Sequence, residues 1–558
     1  VAVSGSSDFT VTAQPTSPLY PNSSTTFTVH FAPTSTGAKS ASLSIANSDP
    51  TQNPFGIALT GTARLSAAVS TVLLAKNAAA PGRGTNGLPG DAVFATFHVP
   101  ATDDDGDLAY LATWTSAGPP ASKGTGLFLN DTCLAIVGGD ASALGGANAK
   151  WKSFSDPVVS DGHAACIAKL STGASMIVAN LSGAALEKIA ASGEAATADG
   201  AKFKSFSAVE VQGTYVAFLA QLVNGTGTTP KTTAANSLGV WFRNGAGPLT
   251  VLLRKGDDLD GDVIKTLDTF KAGNGSPGMG RGWFQVGNNG PVALAHAKIT
   301  GGEAVLLGRT TGVDVPAVSV LGNTGITNAN FRTFGLPARN ATGLEAFRGT
   351  LALAPGVVSA TNASVIFLGQ EAGPGVPFDY VPVARLGTTA PTTSDTFKLL
   401  KDPVLSDDGV LTFPATISAK GPAAATLWWK PFGQSLALLA QGGSDAGDLP
   451  GAKWKSFSSL AIAANRGPLF VATLVPNRTN VSAASATGVW AMDYNHHLRL
   501  LFRTGDKIGG KTVKSFTLLN AVVGSTGVTR SISGAQRVVW LATFKEDKSQ
   551  GIVTTEVP

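Results

Sequence analysis

Lys150-Trp151-Lys152-Ser153-Phe154 returns as Lys202-Phe203-Lys204-Ser205-Phe206, as Lys453-Trp454-Lys455-Ser456-Phe457 and, shortened, as Val513-Lys514-Ser515-Phe516. Looser versions of the phrase end at Phe97, Phe270, Phe334 and Phe397, so eight phenylalanines fall about 52 to 64 residues apart. A period this long, kept this often, marks a repeat architecture.

Around each phenylalanine the grammar is the same. In the last unit Leu498–Arg503 is a short apolar run ending at Thr504-Gly505-Asp506, and Val513–Leu518, Arg537–Phe544 and Gly551–Thr554 follow it. The third run recurs as Tyr215–Ala220, Val410–Ala415 and Leu469–Leu474, the fourth as Gly239–Phe242, Thr426–Trp429 and Gly488–Ala491. Runs of five to eight residues rich in Val, Leu, Phe and Trp, bounded by turn residues, are strands. No 3.6-residue periodicity is sustained long enough for a major helix. Four strands in about 60 residues match the blade of a β-propeller, which buries both faces only against neighbouring blades. The expected fold is therefore all-β: an eight-bladed propeller over 65–558, with units 65–131, 132–183, 184–247, 248–312, 313–373, 374–433, 434–496 and 497–558.

Composition agrees. The 558 residues are 43% hydrophobic, with mean hydropathy +0.16, only 14% charged residues, 66 Gly and 31 Pro. That is a turn-rich chain of extracellular character rather than a charged helical one. The net charge of +5 is a mild excess with no long Lys/Arg run, so no nucleic-acid partner is expected. No stretch of 18 apolar residues exists, so no membrane insertion is expected.

Residues 1–64 lie outside the period. Asp8–Thr12, Thr25–Phe31, Lys39–Ile45 and Phe55–Gly61 alternate apolar and polar residues, as half-buried antiparallel strands do. The pattern from Thr26-Phe27-Thr28-Val29 through Ala32-Pro33-Thr34 and Asp49-Pro50 to Pro54-Phe55 and Leu59-Thr60-Gly61-Thr62 resembles the C-terminal half of the bacterial choice-of-anchor or ASPM/hydin-like Ig domain. The resemblance implies a partial Ig-like β-sandwich showing about four of its seven strands. More loosely, Pro403-Val404-Leu405-Ser406-Asp407-Asp408-Gly409 resembles the repeats of uncharacterised secreted bacterial β-propeller proteins and the Ser-Pro-Asp-Gly turn of TolB-like propellers. Neither family brings a reaction with it.

Chemistry-bearing residues are sparse. Asp103, Asp105 and Asp107, and again Asp258, Asp260 and Asp262, alternate around a tight Gly turn, a spacing from which Ca²⁺ could draw several oxygens. Both stretches lack the closing Glu of an EF-hand, and an acidic solvated turn is the competing reading. Cys133 and Cys166 share one repeat, and either form a disulfide or stay as two buried thiols. The six histidines sit in no nucleophile or metalloprotease motif. The sialidase box Ser-x-Asp-x-Gly-x-Thr-Trp is missing, because Ser406-Asp407-Asp408-Gly409 places its Gly one position early. Of Trp428 and Trp429, adjacent on a strand, one should be core and the other at an edge. Nine Asn-x-Ser/Thr sites report exposure only if the producing cell glycosylates them.

The expected function is that of a bacterial extracellular surface or matrix protein, structural or adhesive rather than enzymatic. Its partners would be other protein chains, including its own copies joined by strand complementation into a filament or layer. A carbohydrate-binding propeller is the alternative, and an extracellular carbohydrate-active hydrolase ranks third.

Overall fold

The computed structural model describes all residues except 21, 33–36, 64–67, 184, 229, 260, 268–282, 288–289, 319–323, 341, 371–378, 419–423, 464–466, 494–495, 519–531 and 535. The described residues are strands and turns, with a four-residue helix at Ser142–Gly145 and a 3-10 turn at Ala483–Ser485. The chain forms two compact units, one of residues 1–69 with Pro558 and one of residues 70–557.

In the larger unit the described strands make eight sheets of four main strands, in chain order within the first seven, beside a two-stranded hairpin of Asp258–Leu259 and Asp262–Val263. Sheet 1 is Val93–Phe97, Leu108–Ser116, Ser122–Leu129 and Thr132–Ile136; sheet 2 is Trp151–Phe154, His163–Leu170, Ser175–Ala179 and Glu187–Ala191. Sheet 3 is Phe203–Gln212, Tyr215–Leu222, Leu238–Asn244 and Thr250–Arg254; sheet 4 is Thr266–Leu267, Gly290–Ile299, Gly302–Arg309 and Gly312–Val318. Sheet 5 is Phe331–Phe334, Leu344–Leu351, Ser364–Gln370 and Asp379–Arg385; sheet 6 is Thr396–Leu400, Leu411–Ser418, Ala424–Lys430 and Ala437–Gln441. Sheet 7 is Trp454–Ala463, Gly467–Leu474, Thr487–Met492 and Leu498–Arg503. Sheet 8 takes Lys511–Thr517, Arg537–Phe544 and Gln550–Glu556 from the C-terminal end and its fourth strand, Val69–Ala75, from the other end of the unit. Each sheet touches the next, and sheet 8 touches sheet 1 through Gln550–Glu556 and Val93–Phe97.

The core lies between sheets. One apolar cluster joins sheets 1 and 2, others join successive pairs from 2–3 to 6–7, and Val539, Leu541 and Ile552 of sheet 8 pack with Phe94, Phe97 and Tyr110 of sheet 1. This is why second strands such as His163–Leu170 are buried on both faces instead of alternating.

The repeated phrase has a geometric cause. After Phe94, Trp151, Phe203, Phe331, Phe397, Trp454 and Val513 the first strand slips register by one residue against the second. Residues i and i+3 of a strand ordinarily face opposite sides; one bulged residue between them returns both to the same side. Trp151 and Phe154 therefore sit 5.3 Å apart between ring centroids, Phe203 and Phe206 5.4 Å, and Trp454 and Phe457 5.5 Å, all turned into the core. Next after the first apolar residue comes an exposed cation: Lys152, Lys204, Arg332, Lys398, Lys455 or Lys514. Sheet 4 obeys the same rule through Ile264 and Lys265. Gly256 and Asp257 bond the Ile264 backbone as Gly505 and Asp506 bond that of Val513.

Two repeat marks therefore shift. Phe397 holds the first apolar position of its sheet, with Leu400 in the second. In sheet 4 the second position belongs to Leu267; Phe270 lies outside the described residues. The sequence units are also offset by one strand, since the run Leu498–Arg503 closes sheet 7 rather than opening sheet 8.

In the smaller unit, Ala2–Gly5, Gly37–Ile45 and Phe55–Ala63 form one sheet, and Phe9–Ala13 pairs with Thr28–Phe31 in another. The strand Ala2–Gly5 is one more than the sequence disclosed. Phe9 and Phe31 stack at 4.6 Å, and Leu43 is buried.

Candidate functional site

Polar side chains capable of chemistry concentrate where one sheet meets the next. The turn between the first and second strands is the first such place. The Asp103 carboxylate accepts the Asp107 N–H four residues on, at 2.8 Å. Asn340 does the same for Leu344 at 2.9 Å, and the Ser406 and Ser533 hydroxyls for Val410 and Arg537 at 2.9 and 3.3 Å. An amide and two hydroxyls perform the task of Asp103, so the task is turn capping and needs no charge.

The same turns clasp their neighbours. Gly534 N–H bonds the Asp104 carbonyl at 2.8 Å, and Gly213 N–H bonds the Asp161 carboxylate at 2.9 Å. The Gln212 side chain accepts from Val286 N–H at 2.7 Å, and that of Asn340 donates to the Ser406 carbonyl at 3.0 Å. The acidic stretches read as candidate calcium loops belong to this system in part. Asp103 is buried, and that burial raises its pKa above the usual carboxylate range; Asp105 is exposed; Asp107 accepts from the Asn130 amide at 2.7 Å. Asp258 caps Gly261 N–H at 2.6 Å, Asp262 flanks the same small hairpin, and Asp260 lies outside the described residues. Among the described residues no three His, Cys, Asp or Glu side chains converge as a metal site.

Further in, four ionisable joints cross the sheets or lie within one. His98 Nδ1 and Asp156 Oδ1 are 2.6 Å apart between sheets 1 and 2, and that hydrogen bond raises the histidine's pKa against the opposing effect of its partial burial. Arg348 Nε reaches Asp402 at 3.1 Å between sheets 5 and 6. Glu303 of sheet 4 accepts the Phe334 N–H of sheet 5 at 3.0 Å and faces His296 Nε2 at 3.2 Å. Within sheet 5, Arg339 Nη1 bonds Glu345 Oε1 at 2.8 Å while the Tyr380 hydroxyl donates to Glu345 Oε2 at 3.1 Å, all three side chains being buried. Burial holds the Tyr380 phenol well above its ordinary pKa of 10.0. The pairs in these joints lie from a few to about sixty residues apart, and sequence reading found none of them.

Cys133 and Cys166 are both free and buried, the first in the layer between sheets 8 and 1, the second between sheets 1 and 2. The disulfide considered from sequence is not made in this structure. Burial pushes the Cys133 thiol up to about 12 and Cys166 higher still. Trp428 is buried, hydrogen-bonded through its indole to Thr426 Oγ1 at 2.8 Å, while Trp429 is half-buried. A cleft of about 390 Å³ opens between sheets 5 and 6, its floor formed by Leu344, Leu368, Val383 and Leu436, with Lys430 and Asp379 on its lining.

A family model described as "Family of unknown function (DUF7453)" matches the chain twice, over residues 50–288 and 285–533. The chain belongs to that family, and the junction of its two matched segments falls inside sheet 4. No curated protein matches the chain in sequence. Among solved structures it is similar to a protein of unknown function from Dyadobacter fermentans DSM 18053, at 10% identity over 67% of this chain and 99% of that one, TM-score 0.26. It is also similar to an alpha-L-arabinanase from Penicillium chrysogenum (11% identity, 78% and 98% of the chains, TM-score 0.22) and to a Trypanosoma rangeli sialidase (11%, 88% and 59%, TM-score 0.23). These likenesses are too distant to carry fold or function.

Among the described residues no helix is long and apolar enough to cross a membrane.

Proposed function

We propose that this member of a family of unknown function is an eight-bladed β-propeller preceded by a partial Ig-like β-sandwich. It works outside the cell as a structural or adhesive protein, through contacts with other protein chains rather than by catalysis. The propeller reading is supported by the cyclic order of sheet contacts and by Val69–Ala75, which completes the last sheet. A ring closed in this way leaves no sheet without two neighbours.

The role in assembly rests on the strand Phe55–Ala63. It pairs along all nine residues with Gly37–Ile45 and has no strand on its other side among the described residues. Phe55 and Ile57 project from it 48% and 36% exposed, on the face whose neighbour Leu43 is buried. A long edge strand with half-covered apolar side chains accepts an added strand: the ladder extends and the apolar face is covered. A second copy of the chain is the partner this reading favours.

The test is sedimentation of the full chain over a concentration series, beside a Phe55→Lys/Ile57→Lys variant. Both positions are exposed enough that the fold should tolerate the change. Concentration-dependent association of the parent, abolished in the variant at an unchanged melting temperature, is the expected result. A parent that stays monomeric throughout, or a variant that associates equally, overturns the reading.

A further inference from the structure

The sheets of the larger unit have two ends, and the ends differ in charge. Because the strands pair antiparallel, one end of a sheet holds three things: the start of its first strand, the turn between its second and third strands, and the turn that follows its fourth. Hydrogen bonds hold these together. Ser171 N–H reaches the Lys150 carbonyl at 2.8 Å, Val223 N–H that of Lys202 at 2.8 Å, Val475 N–H that of Lys453 at 2.9 Å, and Gly443 N–H that of Trp454 at 2.8 Å. The other end holds the turn between the first and second strands and the turn between the third and fourth. Neighbouring sheets present this second end on the same side, because the first of these turns bond from sheet to sheet. Gly534 meets Asp104, Gly213 meets Asp161, the Gln285 amide donates to the Arg339 carbonyl at 2.5 Å, and Asn340 meets Ser406.

Among the described residues of the larger unit, every lysine except Lys188, Lys401 and Lys430 lies at or beside the first end, and all of these but Lys255 and Lys511 are exposed. Exposed acids are fewer there, and several are engaged: Asp91 accepts from Ala117 N–H at 2.9 Å, Asp140 from Ser142 N–H at 3.0 Å, and Asp547 from Lys511 at 2.8 Å. At the second end the exposed acids are Asp105, Asp131, Asp161, Asp379, Asp407 and Asp408. Among the described residues the exposed Lys or Arg of that end is Arg537 alone, and Glu556 stands 3.3 Å from it. Turn chemistry accounts for a share of the acids, since Asp suits turns. It gives no reason for lysine to gather at the opposite end.

We propose that copies of this chain stack head to tail, the lysine-bearing face of one against the acidic face of the next. The proposal rests on the propeller reading above, in which the two ends of the sheets become two opposite faces. A polyanion would match the lysine-bearing face alone, whereas a second copy matches both faces at once. Opposite potentials attract and like faces repel, so the contact has one polarity. Contact between two different faces of the same chain is heterologous. It does not close after two copies, and its repetition builds a column. This gives the assembly proposed above a second surface, distinct from the edge strand Phe55–Ala63. The two contacts differ in their response to salt: charge attraction between exposed faces is screened, and an extended ladder with apolar cover is not.

The experiment is sedimentation velocity of the full chain at low and at high salt, on the parent and two charge-reversed variants. One is Lys152→Glu/Lys204→Glu/Lys455→Glu and the other Asp105→Lys/Asp131→Lys, all five positions being exposed. The parent should associate at low salt and lose that association at high salt. Each variant alone should associate at least tenfold more weakly, at an unchanged melting temperature. An equimolar mixture of the two should recover association, because the reversed face of one meets the reversed face of the other. A parent that does not associate at low salt, variants that associate as the parent does, or a mixture as weak as its components overturns the proposal. So does a parent that stays single at low salt yet binds heparin, which would give the lysine-bearing face to a polyanion. The Phe55→Lys/Ile57→Lys variant is read at high salt, where stacking is screened, and so tests the edge strand by itself. Electron-microscopic averages at high salt separate the remaining level: annular particles that do not stack at low salt remove only this inference, whereas particles that are not annular remove the propeller beneath it.

Discussion

The two matched halves of the repeat region solve the same joints with different chemistry. Between sheets 1 and 2, buried Asp156 is met by His98; between sheets 5 and 6 the equivalent Asp402 is met by Arg348, which reaches in from the neighbouring strand. The residue in the place of His98 is Gly335, where a β-carbon would stand 2.2 Å from Asp402 Oδ1. Between sheets 8 and 1, Phe97 N–H donates to the Gln550 amide at 3.1 Å; between sheets 4 and 5 the equivalent Phe334 N–H donates to the Glu303 carboxylate. Where sheet 1 places Thr102 opposite Leu108, sheet 5 places Arg339 opposite Glu345. At these three places His98, Gln550 and Thr102 stand where the other set of joints uses Arg348, Glu303 and Arg339. The backbone scheme is common to both, so the scheme sets the geometry and leaves the charge free to vary.

The strongest way to break this comparison is at Glu345. Replacing it with Gln leaves Arg339 buried without its carboxylate, at a cost of about 3–5 kcal/mol, read as a large drop in the calorimetric midpoint. Giving the site the sheet 1 residues through Arg339→Thr and Glu345→Leu, with Tyr380→Phe to remove the hydroxyl left without its carboxylate, should recover at least half of that loss. If the triple variant is worse than Glu345→Gln alone, the halves are not interchangeable.

Next in size is Gly335. Gly335→Ala pushes a methyl group against Asp402 and should cost about 1–3 kcal/mol. A thermal melt checks it, and an unchanged midpoint would contradict the close approach of Asp402 to Gly335.

His98 should add a small pH dependence confined to the first half. Its folded pKa is raised from 6.5, so its pairing with Asp156 is fully present below about pH 6.5 and is lost as pH rises through the raised value. Melting temperatures followed between pH 5.5 and 9 should lose part of their downward slope in His98→Gln. Arg348→Gln should shift the curve without changing that slope, because Arg stays charged throughout. An unchanged slope in His98→Gln would assign the pH dependence elsewhere.

The smallest effect is expected at the cysteines. Buried, and with the Cys133 thiol raised to about 12, they should react with an aromatic disulfide reagent only on unfolding. Rapid labelling of two thiols in the native protein would place them at the surface.

The repeat was legible because Lys-Ser-Phe combines an exposed cation, a hydroxyl and a buried ring in a fixed order. It was misread at Phe270 and Phe397 because Leu267 and Leu400 do the work of phenylalanine there, and volume rather than ring character is what the core requires. The bulge could not be read from alternation, since it is the point at which alternation fails. The Asp103 turn was visible as a turn, but the backbone N–H groups its carboxylate caps were not. The joints were invisible because His98 and Asp156, or Arg348 and Asp402, become neighbours only when separate sheets are brought together.

Ring closure is the claim on which the rest depends, and Ser70 and Thr555 test it most directly. Their hydroxyls lie 2.7 Å apart, where Val69–Ala75 joins the last sheet. In a Ser70→Cys/Thr555→Cys variant, mild oxidation of the folded protein should form one cross-link, seen as a mobility change without reductant and as a higher melting temperature. A pair that stays reduced under conditions where the unfolded chain cross-links would contradict a closed ring.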